Sequence, residues 1–194
     1  MRHYKTILFL LATVMLLSGC GKAESEYSTW ACRFAYDNPN GDPVLASALG
    51  GTPGVFCLIT ETTQRGQKCL FFESNLGIKS DKPIPETAEE VQAKFILGLN
   101  NGIIVGFQAL VTEPNRGFVA YDVQCPNCVR RENNTINPNY RVTMDSKAIA
   151  TCSKCGKTYD MNNGGIITNG AEGDTGLAKY VAVTDGQHIS VFTR

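Results

Sequence analysis

The sequence predicts an all-β domain, and three observations predict it. Glycine and asparagine punctuate the chain densely, glycine alone taking 19 of its 194 positions. The apolar runs between them are short and rich in β-branched and aromatic residues, as strands are, whereas helices need longer runs of 3.6-residue period. Near the end, "KYVAVTDGQHISVF" reads as two alternating strands joined at "DGQ", a hairpin signal.

Taken in order, the first element is a leader. "MRHYKTILFLLATVMLLSGC" has a basic start (Arg2, Lys5), an apolar run from Ile7 to Leu17, and small residues before Cys20. The run is short for a mature membrane span and has the tripartite layout of a secretory signal. The ending "LSGC" resembles the lipobox of bacterial lipoproteins, which implies cleavage after residue 19 and lipid on Cys20. A multiply acylated cysteine holds a protein on a membrane without crossing it. The expected location is the bacterial cell envelope, on the periplasmic or outer face of a membrane. Residues 20–29 then serve as a tether and residues 30–194 as the domain.

Strands are expected at 29–36, 55–61, 68–73, 103–109, 117–121, 140–144, 148–151, 179–184 and 188–192. One short helix interrupts them in "PETAEEVQAKFILGLNNG", where Thr87 and Glu90 form a capping box and Gly98 with "NNG" is a stop. Its Val91, Phe95 and Ile96 are expected to pack on a sheet.

Charge and histidine content exclude two function classes. The mature chain carries 16 Lys+Arg against 18 Asp+Glu, so no nucleic-acid partner is expected. Only two histidines occur, His3 in the leader and His188 in the terminal hairpin. A Ser-His-Asp or Cys-His set would depend on that last residue alone, and no catalytic residues are assigned.

Cysteine carries the chemistry. Cys125 and Cys128 in "QCPNCVRR", and Cys152 and Cys155 in "TCSKCGKT", form two C-x-x-C pairs. Two intervening residues let a tight knuckle aim both sulfurs at one point while backbone N–H groups donate to them, and Gly156 suits the positive φ that such a knuckle needs. Two knuckles a hairpin apart make a tetrahedral four-sulfur site, like that of rubredoxin or a zinc ribbon, over about residues 120–160. Arg130, Arg131, Lys154 and Lys157 crowd the knuckles; they neutralise the thiolates or form a solvated basic face. Cys32, Cys57 and Cys69 remain. Cys57 and Cys69 lie on neighbouring expected strands and are the candidate disulfide, with buried free thiols as the alternative.

The order of these features resembles the Rieske domain. "GFVAYDVQCPNC", a strand pair, then "TCSKCGKTYD", a glycine-rich turn, "LAKYVAV" and a closing hairpin follow that family's sequence of knuckles and strands over roughly the second half of the chain. The resemblance implies an antiparallel β-sandwich or barrel bearing a cluster-binding subdomain, and a redox subunit or electron carrier working with a protein partner. Cys125 and Cys152 match its two cysteines. Asn127 stands where its first histidine belongs, with Cys128 one place on, and Cys155 replaces the second. Without imidazole ligands a Rieske centre proper is excluded, and an all-cysteine [2Fe–2S] cluster would sit at low potential.

Three readings of the thiols follow. A single tetrahedral ion, zinc first and iron second, needs no assembly machinery. A [2Fe–2S] cluster is generally inserted before export through a twin-arginine route, whereas Arg2 and Lys5 here are separated by His3 and Tyr4, the layout of a general secretory leader. Disulfides within each C-x-x-C come last, because no helix N-terminus is expected to activate a thiol. The expected function is a lipid-anchored four-cysteine protein whose ion is structural or binding, with low-potential electron transfer or assembly in an envelope complex as the alternative.

Overall fold

A computed structural model describes residues 27–38, 41–84, 95–110 and 117–194. In chain order the elements are β1 (Arg33–Asp37), α1 (Pro43–Leu49), β2 (Phe56–Gln64), β3 (Gln67–Ser74), β4 (Lys79–Pro83), β5 (Ile103–Phe107), β6 (Phe118–Asp122), α2 (Pro126–Arg131), β7 (Val142–Met144), β8 (Ile149–Cys152), β9 (Thr158–Asp160), β10 (Ile166–Ile167), β11 (Lys179–Thr184) and β12 (His188–Phe192). Short 3-10 turns occupy Pro138–Tyr140 and Met161–Asn163. The protein is all-β as expected. One eight-stranded sheet runs β1-β12-β11-β6-β5-β2-β3-β4 and a second, four-stranded, runs β10-β9-β8-β7. Every pairing between these strands is antiparallel.

Where β2, β5 and β6 lie side by side the large sheet is covered on both faces, and period-two alternation sorts its side chains between two cores. Cys57 and Ile59 of β2, Ile103 and Val105 of β5, and Ala120 of β6 point into the first core, with Phe34, Phe72 and the buried face of α1. Phe56, Ile104 and Tyr121, one position out of step, point into a second core with the four-stranded sheet. This explains why β5 reads as a continuous apolar run, "IIVG", with no polar alternation. Gly106 is required where β5 meets β2: a Cβ there would lie 2.3 Å from the Val55 carbonyl oxygen.

Helix α1 was not expected. Asp42 caps it, its carboxylate accepting from Val44 N at 3.0 Å and Leu45 N at 3.2 Å, and Pro43 fills the first turn. The Ser80 hydroxyl donates to the same oxygen at 2.8 Å and ties the cap to β4. The expected helix around Thr87 and Glu90 lies, for residues 85–94 including Val91, outside the described residues. Its far end is extended instead: Ile96 exchanges backbone hydrogen bonds with Arg33 at 2.8 and 2.9 Å. Phe95 does pack on the core, 5.1 Å from the Phe34 ring, while Ile96 is exposed. Gly98, at φ +66°, lets Asp122 approach, and the Asp122 carboxylate accepts from Leu99 N at 2.7 Å and from the Tyr180 hydroxyl at 2.5 Å.

Residues 1–26, with the leader and Cys20, lie outside the described residues. The end of the expected tether is part of the fold, since Tyr27 bridges Lys179 and Ser28 N donates to the Lys179 carbonyl at 2.7 Å. The first expected strand accordingly starts at Arg33 rather than residue 29. Among the described residues no helix is long and apolar enough to cross a membrane.

Candidate metal centre

β6 leaves the large sheet and carries the chain into the first knuckle. Val142 N donates to the Val123 carbonyl at 2.8 Å and Cys125 N to the Tyr140 carbonyl at 2.8 Å, so the second sheet is hydrogen-bonded to the continuation of β6. Cys125 then occupies the N-cap of α2, Pro126 its first turn, and Cys128 the position one turn on. The first C-x-x-C is therefore the start of a helix, contrary to the expectation that none stands there. The second knuckle is a turn between β8 and β9. Cys152 N donates to the Lys157 carbonyl and Gly156 N to the Cys152 carbonyl, at 2.9 and 2.8 Å, and Gly156 has φ +70° as its position demanded. A Cβ on Gly156 would meet nothing within 4 Å, so the backbone angle alone calls for glycine there.

The two knuckles bring the four sulfurs together. Cys125 Sγ lies 3.7 Å from Cys155 Sγ, Cys128 Sγ lies 3.6 Å from Cys152 Sγ, and all four are within 4.8 Å of one another. Cys125, Cys128 and Cys152 are buried and Cys155 is partly exposed. With metal–sulfur bonds of about 2.3 Å, a regular tetrahedron has sulfur–sulfur edges of roughly 3.8 Å, close to the two shortest separations. The group can hold a metal ion.

Burial pushes the Cys125 thiol up to about 11, against the lowering effect of hydrogen bonds from Tyr159 and the Cys128 backbone N–H. Burial and the neighbouring thiols drive Cys128 up further. Burial also raises Cys155, but donation from the Lys157 backbone N–H and from the adjacent thiols outweighs it, leaving Cys155 below the ordinary thiol range. An ion therefore has to displace protons that burial holds on the sulfurs, so its affinity falls as pH falls.

Tyr159 and Asp174 were not singled out from the sequence, nor was the bonding role of Asn127. The Tyr159 hydroxyl lies 3.1 Å from Cys125 Sγ and accepts from Asn127 Nδ2 at 3.0 Å; burial raises its pKa first, and the hydrogen bond with Cys125 adds to that. Asn127 is fully buried and ties the knuckle to the segment before β11: its Nδ2 donates to the Thr175 carbonyl at 2.8 Å and its Oδ1 accepts from Thr175 N at 3.0 Å. Three of the four basic residues have a partner that the sequence did not suggest. The Asp174 carboxylate meets Lys157 Nζ at 2.7 Å, Arg131 at 3.0 Å and Arg130 at 3.5 Å. The Lys157 hydrogen bond first, then the Ala171 backbone N–H and the charges of Lys157 and Arg131, hold it at about 2. Lys154 is exposed.

The other thiols stand apart. Cys57 and Cys69 are on paired strands, but Cys57 faces Ser74 and Cys69 faces Thr62, and both are free. Five residues of offset along a strand is roughly 17 Å, far beyond disulfide reach, so the expected bond does not form. Burial lifts Cys32 to about 12 and Cys57 higher still. Both are inert core residues. His188 sits on the far hairpin, its Nδ1 2.7 Å from Asp185, with no part in the cysteine group. Comparison with protein families, curated proteins and solved structures finds no match to this chain.

Proposed function

We propose that this chain is an exported, lipid-anchored envelope protein whose Cys125, Cys128, Cys152 and Cys155 share one tetrahedral ion, zinc in preference to iron, on a Rieske-like β fold that has exchanged its histidine ligands for cysteines. The ion's role is structural: it fixes two loops and the small sheet between them as a surface for binding or assembly. The observation that carries this reading is the mutual spacing of the four sulfurs, all within 4.8 Å. One ion accepts that spacing. A [2Fe–2S] cluster puts two thiolates on each of two irons, so sulfurs at opposite ends stand further apart by about the iron–iron separation. The small sheet hung from the continuation of β6 supports the family resemblance, and the leader supports export and acylation of Cys20.

Replacing any one of the four cysteines by Ser is expected to lower metal content and stability together, because binding energy is folding energy in such a site. Cys32→Ser is expected to retain wild-type metal content. Unchanged metal content in all four Ser variants would refute the assignment. For the anchor, Cys20→Ala is expected to move the protein from the membrane to the aqueous fraction or leave it unprocessed; a wild-type chain already aqueous after cell breakage would count against acylation.

A further inference from the structure

The segment between β10 and β11 is fastened to both knuckles. At one end the Asn169 side chain donates to the Gly156 carbonyl at 2.8 Å and accepts from Thr158 N at 2.8 Å, beside the second knuckle. At the other end Thr175 binds Asn127, inside the first knuckle, through both its backbone groups. Between them Asp174 spans the two, holding Arg130 and Arg131 from α2 and Lys157 from the second knuckle. Residues 170–173 are all exposed, and no apolar side chain is buried between residues 169 and 176. The segment has no core of its own, so polar and ionic contacts at its ends are what hold it.

We infer that residues 169–175 form an ionic strap whose fastening at Asp174 controls how fast the four-cysteine site exchanges its metal, a regulatory role that rests on the single-ion reading above. Release of a thiolate-bound ion requires the knuckles to part or an incoming ligand to enter between them. The strap opposes both, because each knuckle is clipped to it. Its strongest clip joins an Asp174 side chain only 3% exposed to a Lys157 side chain 13% exposed, while the two arginines are about half exposed. Salt weakens the arginine pairs most. Exchange is thereby made sensitive to ionic conditions and to any acidic surface that competes for Arg130 and Arg131.

The test follows zinc release from the zinc-loaded full-length chain to a chromophoric chelator in excess, from about 0.05 M to about 1 M NaCl, over which the Debye length shrinks several-fold. Wild-type release is expected to speed up with salt. Asp174→Asn is expected to bind the same amount of zinc, release it about tenfold faster at low salt, as loss of three weak pairs implies, and respond little to salt. Asp174→Glu is expected to restore part of the salt response. If Asp174→Asn does not fold, the wild-type salt series decides alone. A chain that holds one ion and releases it at a rate indifferent to salt overturns the strap and leaves the single-ion reading intact. A chain that binds no zinc overturns both.

Discussion

The two sheets of this protein are stabilised by different means. In the large sheet β2 and β3 are nine and eight residues long, pair from Cys57–Ser74 to Gln64–Gln67, and enclose a core of Phe34, Phe72, Ile59, Leu70 and the buried face of α1. In the small sheet no strand exceeds four residues and β10 has two. Strands that short lie at the lower limit of the usual range, and the sheet leans on Phe56, Ile104 and Tyr121 of its larger neighbour. Their core includes Cys125, Cys128 and Cys152 where a self-sufficient core would put leucine or isoleucine. The contrast suggests a division of labour: hydrophobic burial alone holds the large sheet, whereas on the proposed reading an ion joining the thiols adds to the burial that holds the small one.

The largest effect expected from this contrast is selective. Stripping the metal with a strong chelator should reduce hydrogen-exchange protection in β7, β8, β9 and α2 by roughly a hundredfold or more while β2, β3 and β5 keep theirs, as separately stabilised units do. Equal loss in both sheets would erase the distinction. The converse experiment breaks the large sheet. Phe72 is fully buried, and Phe72→Ala should cost about 3–5 kcal/mol in denaturant melts, with metal stoichiometry unchanged in whatever fraction is folded.

A finer probe sits in the second knuckle. Gly156→Ala puts a Cβ at φ +70° with no steric neighbour, so it should cost about 1 kcal/mol, and this cost should appear as weaker metal binding, since that turn aims Cys155. The smallest effect belongs to His188, on the large sheet. The Asp185 carboxylate raises its pKa above 6.5, so the pair's contribution is full below the unfolded value and fades as pH rises through the folded one. His188→Gln should remove that slope, on the alkaline side of pH 6.5, without altering metal content; an altered content would couple two sites that lie on different elements.

How far the sequence foretold this varies by element for physical reasons. β11 and β12 were legible to the residue, because their alternation is clean and Asp185 caps the turn between them, accepting from Gln187 N and His188 N. The four cysteines and Gly156 were legible because a knuckle is local: its geometry is set within five residues. Helix α1 carried its signals, Asp42, Pro43 and Gly50, but seven residues are too few to show a helical period. β9 and β10 are too short to show any period at all. The failed Cys57–Cys69 pairing turned on register, which neighbouring strands do not reveal until their hairpin is placed. Tyr159, Asp174 and the bonding role of Asn127 were not legible because their contacts join residues from 17 to 48 positions apart, over which no local pattern operates.

Whether four cysteines share one ion is decided on protein isolated without oxygen from its own host. Its visible spectrum and its zinc, iron and acid-labile sulfide contents should be measured on the same sample. Zinc has a filled d shell, so a colourless protein with about one zinc per chain and no sulfide is the result predicted here. Stoichiometric iron and sulfide, with a visible chromophore that bleaches with dithionite, would contradict it and make low-potential electron transfer the function.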